Sequence, residues 1–441
     1  MKDQKNKEKN IKRTKKPEDQ SAQDRKYKEY IDQKIQEFNT NGKLTIAYFC
    51  DTFYPIIDGV IKVMDNYATL LNGEYNIVMI VPKHKNIIVK KDYLVIGTAS
   101  MYFKFVNYDL ALPDMDAFLA QTIRKLRIDL VHAHSPFNMG SFASKVAKKK
   151  KVPFVMTMHS QFKMDFMKYT NSELLTSYLL KQITRVFGRS TEVWTMHEGV
   201  KKALESYGYK GKFYFVPNAT DYEDLGDAKQ MQEHVNKKYK IKEEDFVMLF
   251  VGRLVEQKNI FFIADVLKKV KDSGRKFKMI FVGDGPDKKT LQTQIKNLGL
   301  TEDVILTGKI MNQKEIQSIY ARSNLFLFPS LYDTSSLVQI EAASYKTPTV
   351  FIENTVTSAT VTNNVNGFTC ENNVDAFANK VMEIYDNPEL LQKIGENAFK
   401  DLYITWSQVA KRVSERYQYL IAQNKNKQAK LKAIKNAKMT K

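Results

Sequence analysis

The chain has 441 residues, 43% of them hydrophobic and 12% aromatic, with a formal net charge of +20. That length exceeds what one hydrophobic core usually serves and predicts two domains of roughly 180 to 200 residues, while the apolar content excludes a disordered chain. No apolar run approaches the ~18 residues of a membrane-spanning helix, the charged residues 1–16 are not a secretory signal, and two cysteines, Cys50 and Cys370, fit a reducing compartment.

Residues 1–43 hold 13 Lys/Arg against 8 Asp/Glu and read as a basic N-terminal extension. Within it Tyr27, Tyr30, Ile31, Ile35 and Phe38 have a helical spacing that can dock on the body. A first domain follows over 44–220. Residues 44–50 predict a strand, 60–71 a helix, 76–81 and 128–134 strands, and 140–150 a helix; then come a strand over 152–158, a helix over 172–187 and a strand over 192–195. A polar Lys/Glu/Gln-rich stretch over 221–245 interrupts the pattern and is read as a hinge. A second domain over 246–405 repeats it, with strands at 246–251, 277–282, 304–307, 325–328 and 349–352 separated by helices. A C-terminal helix is placed at 406–423 and a basic tail at 424–441, where seven Lys face no acid.

Strands alternating with helices imply right-handed crossovers, so the fold class is α/β, with two doubly wound parallel sheets facing across a cleft. Ligands in such sheets bind at the C-terminal ends of the strands. The basic tail attracts polyanions, an anionic membrane face or nucleic acid, or simply keeps the chain soluble. No aromatic and basic recognition motif is present, so nucleic acid is not expected.

The notable polar residues follow predicted strands. After the first strand, Gly59 opens a helix and lets a backbone approach a phosphate, although a simple loop glycine reads the same way. His132, His134 and His159 stand at the ends of two strands, three of the six histidines of the chain. No carboxylate or cysteine nearby completes a metal site with them, so no metal is expected; a hydrogen bond to a bound hydroxyl suits them, with His159 best placed. In the second half, Gly252-Arg253-Leu254 and Lys258 follow a strand and set two cations beside a helix start, a clamp for a diphosphate that can neutralise a departing phosphate. Gly283-Asp284-Gly285-Pro286 forms a tight turn after the next strand. Residues 324–328 end at Pro329, and the segment from Ser330 to Glu341 then holds two carboxylates eight positions apart. Ser335 or Ser336 caps the helix that begins there with Leu337. Asp333 falls in the loop and Glu341 about two turns into the helix, where they are either acceptors for sugar hydroxyls or a cap and a solvated helical residue.

Taken together over residues 44–420, these motifs resemble a family 4 retaining glycosyltransferase with the GT-B fold of two Rossmann-like domains. The resemblance implies an N-terminal acceptor domain and a C-terminal nucleotide-sugar domain. It implies that Arg253 and Lys258 bind the diphosphate with Gly252, Gly283, Ser335, Ser336 and Leu337 around it. Glu341 would bind the ribose, Asp333 the sugar hydroxyls, and Gly59 would approach the phosphates, while His159 assists transfer. Residues 134–140 and 157–169 look most like the diacylglycerol glucosyltransferase subgroup. On that basis the donor is UDP-glucose, a co-substrate with no further cofactor, and the acceptor a lipid, at the inner face of the cell membrane. The run Lys148-Lys149-Lys150-Lys151 and the tail suit an anionic surface.

The chain departs from the family pattern in three places. Asp333 replaces the usual first Glu, Asn218-Ala219 the usual Asn-Gly, and Glu353-Asn354-Thr355-Val356-Thr357 a glycine-rich loop. Donor and acceptor can therefore both differ, and the alternatives are a capsule, exopolysaccharide or other glycan acceptor, or a catalytically silent subunit that binds a partner transferase.

Overall fold

The structure is a computed structural model that describes residues 17–55, 59–83, 91–103 and 108–439. The charged residues 1–16, residues 56–58 of the loop before Gly59 and the last two residues of the tail lie outside the described residues. Fifteen strands are present among those described: β1 Thr45–Phe49, β2 Asn76–Pro82, β3 Leu94–Thr98, β4 Ser100–Phe103, β5 Tyr108–Ala111, β6 Leu130–Ala133, β7 Phe154–Thr157, β8 Glu192–Thr195, β9 Phe213–Phe215, β10 Phe246–Val251, β11 Phe277–Val282, β12 Val304–Gly308, β13 Leu325–Phe328, β14 Thr349–Ile352 and β15 Phe368–Cys370.

They form two parallel sheets and a small hairpin. The first sheet runs β3-β2-β1-β6-β7-β8-β9, the second β12-β11-β10-β13-β14-β15, and β4 pairs with β5 antiparallel. Strands such as β1, β2 and β13 are buried along their whole length, which is why they read as continuous apolar runs: a parallel sheet covered on both faces has no wet side. In each sheet the chain works outward from one central strand and then reverses, so the strand order switches between β1 and β6 and between β10 and β13. A crevice opens where neighbouring connections leave to opposite faces, and it opens at the C-terminal strand ends. The fold is therefore two doubly wound Rossmann-like domains, as the alternation predicts.

Three of the strands missing from the sequence reading are edge or very short strands. β9 and β15 have three residues each, too few for a period, and edge strand β3 alternates buried and half-buried positions and contains Gly97. The 221–245 stretch contains a helix, Ala228–Tyr239, capped by Asp227 and burying only Val235. It lies against the Gln313–Arg322 helix, where Gln232 donates to the Ala321 carbonyl at 2.8 Å and Arg322 to Asn236 at 2.6 Å. So polar a helix gives no apolar period to read.

Both ends of the described chain are tied to the first domain. In the Pro17–Thr40 helix, Ile31, Ile35 and Phe38 are buried in that domain's core, at the spacing read from the sequence. The Trp406–Met439 helix crosses back from the second domain. Its residues Trp406, Val409, Val413, Tyr417, Leu420 and Ile421 pack on the first sheet, and its basic end continues as exposed helix.

Candidate active site

The second-domain wall is built by backbone packing at the ends of β10 and β11. Gly252 N–H donates to the Val282 carbonyl and Leu254 N–H to the Asp284 carbonyl, each at 3.0 Å, which locks the two loops edge to edge. Gly283 has φ +144°, and a Cβ there would stand 1.8 Å from the Gly252 oxygen; one on Gly285 would stand 2.2 Å from the Leu254 oxygen. The glycines of that turn thus serve loop packing.

Beside them Lys258 leaves the Glu256–Lys258 turn and meets Asp333, its Nζ donating to Oδ2 at 2.6 Å. Ser336 caps the Leu337–Ser344 helix by accepting from Gln339 N–H at 3.2 Å, while Ser335 accepts from Asn218 at 2.9 Å. The helix begins at Leu337, so Glu341 sits little more than about one turn in, not two. Its carboxylate is held behind the helix start: Tyr320 donates to it at 2.9 Å, and Lys62 of the first domain lies 3.9 Å away. Burial raises its pKa, and Lys62 and the Tyr320 bond oppose the rise.

The first domain grips the Asp333 loop directly. Gln161 donates to the carbonyls of Tyr332 and Asp333 at 3.2 and 3.0 Å, and His197 Nε2 to the Thr334 carbonyl at 2.8 Å. The departing loop after β14 also closes on it. A Cβ on Gly199, at the start of the Glu198–Ser206 helix, would stand 2.6 Å from the Val356 oxygen.

Between the two walls is a cavity of about 410 Å³. Of the residues picked out from sequence, Gly59, His159, Gly252, Lys258, Asp333, Ser335, Ser336 and Leu337 line it. Arg253 is exposed on its loop, and Gly283 and Glu341 stand behind the wall, so these three are not among the lining residues. Sequence reasoning missed Gln161, Asp165, His197 and Lys62. His197 repeats a signal used for the other histidines, a His just past a strand end; Gln161 and Lys62 have their partners in the opposite domain, and Asp165 is a helix residue that only the cavity singles out.

Three histidines form a stack that starts at His159 in the cavity wall and runs back into the first domain. His132 and His134 rings lie 4.2 Å apart, His134 and His159 rings 5.3 Å apart, and His134 Nδ1 is 3.0 Å from His159 Nε2. His132 also bonds Tyr417 at 2.5 Å and Thr157 at 2.7 Å, so rings that face one another are fixed by neighbours on either side. Burial holds all three pKa values down, that of His159 to about 3, so the rings are neutral near pH 7.

A pH dependence follows. Between about pH 6.5 and its lowered folded-state value, about 3 for His159, each ring takes a proton in the unfolded chain but not in the fold, so its contribution to stability is present above about pH 6.5 and lost as pH falls through that window, by about 1.4 kcal/mol per unit and per ring. Asp51, raised by burial to about 6, has the opposite sign: between about pH 6 and pH 4 the fold holds its proton and the unfolded chain does not. His134→Phe keeps a ring in the stack and removes one titrating group. Its urea-unfolding free energy is expected to fall less steeply between pH 6 and pH 4 than wild type, by about 1.4 kcal/mol per unit; an unchanged slope contradicts the neutral stack.

Gly59 offers a second test. It begins the Gly59–Leu71 helix with an ordinary φ, and a Cβ would meet nothing within 4 Å. Gly59→Trp is expected to fold with unfolding free energy within about 1 kcal/mol of wild type, yet to block the cavity and weaken, at least about tenfold, binding of the nucleoside diphosphate expected from the sequence, measured by calorimetry with UDP as the probe. Unaltered binding would remove Gly59 from the site.

Comparison with known proteins places these features. Residues 57–224 match the family model described as Glycosyltransferase Family 4, and residues 231–401 match Glycosyl transferases group 1. The alpha-monoglucosyldiacylglycerol synthase of Acholeplasma laidlawii is 25% identical over 370 residues, 80% of this chain and 92% of that protein. An Escherichia coli UDP-Gal:alpha-D-GlcNAc-diphosphoundecaprenol alpha-1,3-galactosyltransferase is 24% identical over 80% of this chain and 90% of its own length. Among solved structures, Anabaena HepE in complex with UDP superposes with a TM-score of 0.70 at 15% identity, covering 85% of this chain and 100% of that one.

Proposed function

The chain belongs to the glycosyltransferases with the GT-B fold, and from that premise we propose that it is a retaining, metal-independent hexosyltransferase moving glucose from UDP-glucose to diacylglycerol at the cytoplasmic face of the membrane. The observation that carries this reading is the cavity itself: a cation, Lys258, and a helix N-terminus stand on one wall, and His159 and Asp165 on the other. A nucleoside diphosphate fits the first wall, because Lys258 and the helix dipole neutralise charge that grows on the leaving phosphate. Arg253, exposed on the loop before Lys258, is outside the lining and is assigned to the diphosphate by the family resemblance alone.

Lys258 holds Asp333 by its carboxylate. A diphosphate reaching Lys258 exchanges that carboxylate for phosphate oxygens and leaves Asp333 to accept from the sugar hydroxyls. The family resemblance assigns the ribose to Glu341, although its carboxylate stands behind the cavity wall, bonded to Tyr320. The leaving phosphate oxygen takes the proton of the incoming hydroxyl on the same face, which retains configuration, while neutral His159 donates to or accepts from the sugar without carrying charge. The A. laidlawii relative, named for glucosylating diacylglycerol and aligned over most of this chain, supports the acceptor. The E. coli relative supports a second reading, a polyprenyl-diphosphate-linked saccharide acceptor.

UDP release measured with purified protein and a set of UDP-sugars, with and without diacylglycerol vesicles, separates these readings. Release from UDP-glucose that rises with diacylglycerol is expected. A rise only with a polyprenyl-linked saccharide selects the second reading, and release under no condition indicates a silent subunit that serves a partner transferase.

A further inference from the structure

The Phe162–Thr170 and Glu173–Phe187 helices bury one face and leave the other unusually apolar. Glu173–Phe187 buries Thr176, Leu180, Ile183, Val186 and Phe187. Its outer face carries Leu174, 87% exposed, with Leu175 and Tyr178, and the preceding helix adds Tyr169, 75% exposed, and Met164. Single exposed apolar residues are ordinary; five on one helical hairpin form a patch that needs an occupant.

Charge identifies the occupant. The exposed residues of the two helices include Lys163, Lys168, Lys181 and Arg185 against one exposed acid, Glu173. Leu174, Tyr178, Lys181 and Arg185 follow at spacings of four, three and four, so they share one helical stripe that is apolar near the turn between the helices and basic farther along. Leu174 and Lys181 are separated by about 10 Å along the axis, comparable with the ~5–10 Å depth to which an interfacial helix buries its apolar residues below the headgroups.

We propose that this hairpin docks the enzyme on an anionic lipid bilayer, its turn among the acyl chains and Lys181 and Arg185 at the phosphates. This rests on the lipid-acceptor reading and deepens it. The first of the two helices also supplies Asp165 to the cavity, and Gln161 immediately precedes it. Docking there brings the cavity mouth to the membrane, so a lipid hydroxyl reaches the sugar without leaving the bilayer. It also differs from the expectation that the Lys148–Lys151 run and the tail provide the contact. The described tail exposes only Leu431 and Ile434 as large apolar residues.

The test is cosedimentation of the full-length chain with vesicles of phosphatidylcholine alone or mixed with phosphatidylglycerol. Wild type is expected to bind the mixed vesicles at least tenfold more tightly. Leu174→Glu with Leu175→Glu should lower that partition at least tenfold, Lys181→Glu with Arg185→Glu should abolish the preference for phosphatidylglycerol, and the tail pair Leu431→Glu with Ile434→Glu should stay within twofold. Thermal unfolding of each variant, expected to match wild type, separates lost docking from lost folding. Hairpin variants that fold and bind like wild type, binding lost through the tail pair instead, or no binding by wild type, would overturn the proposal. If the hairpin variants lose binding while wild type glycosylates no lipid, the docking surface stands and the acceptor reading falls.

Discussion

Lys258→Met is expected to lower kcat/KM for sugar transfer by about 100- to 1000-fold, the range seen when one preorganised donor to a developing oxyanion is removed. Methionine keeps most of the volume and removes the charge. Two losses then coincide. In the proposed reaction the leaving phosphate has one cation fewer, and Asp333, whose carboxylate Lys258 binds at 2.6 Å in a partly buried site, loses its partner. The first loss acts mainly in the transition state and so falls chiefly on kcat; the second frees the Asp333 side chain and raises KM. Gln161 and His197 still hold that loop through its backbone carbonyls, so unfolding free energy should stay within about 1 kcal/mol of wild type. Steady-state UDP release and urea unfolding on the same preparation decide the matter. Activity within threefold of wild type would remove Lys258 from the reaction.

Gly283→Ala should have the largest effect on the fold, about 3 kcal/mol or more. Its φ of +144° lies where a side chain is strained, and its Cβ would stand 1.8 Å from the Gly252 oxygen. Neither loop can yield cheaply, because Gly252 and Leu254 N–H groups are both committed across the contact. Gly274→Ala is the matched control: φ is +81° there and nothing lies within 4 Å, so only the backbone term of about 1–2 kcal/mol is expected. Urea unfolding of the pair separates clash from dihedral strain. Equal losses would mean that the loops are not packed as described.

How far the sequence reveals such features depends on whether a property is local. β10, β11, β13 and β14 are apolar runs enclosed on both faces, and their bounds read from sequence coincide with the strands. Three-residue β9 and β15 carry no period, and the Ala228–Tyr239 helix buries a single side chain, so pattern alone does not reveal them. The cavity shows the same division. Lys258, Asp333 and Ser336 follow strands and open helices, and local spacing places them together. Gln161 and Lys62 matter through contact with the other domain, and Asp165 through a cavity that the two domains share, and nothing in their own segments announces it. Glu341 marks the boundary: its helix is legible, but its place behind the wall, tied to Tyr320 and facing Lys62 of the first domain, follows only from how the domains meet.

The measurement that most directly tests a lipid glucosyltransferase built on this cleft is a donor competition read at the product. Equimolar UDP-glucose, UDP-galactose and UDP-N-acetylglucosamine, each carrying a distinct isotopic label, are incubated with the protein and diacylglycerol in anionic vesicles, and the lipids are analysed by mass spectrometry. The expected product is a diacylglycerol bearing one hexose with the glucose label, in amounts equal to the UDP released. UDP released without any glycosylated lipid, or a labelled sugar found only on an added polyprenyl-linked saccharide, would contradict it.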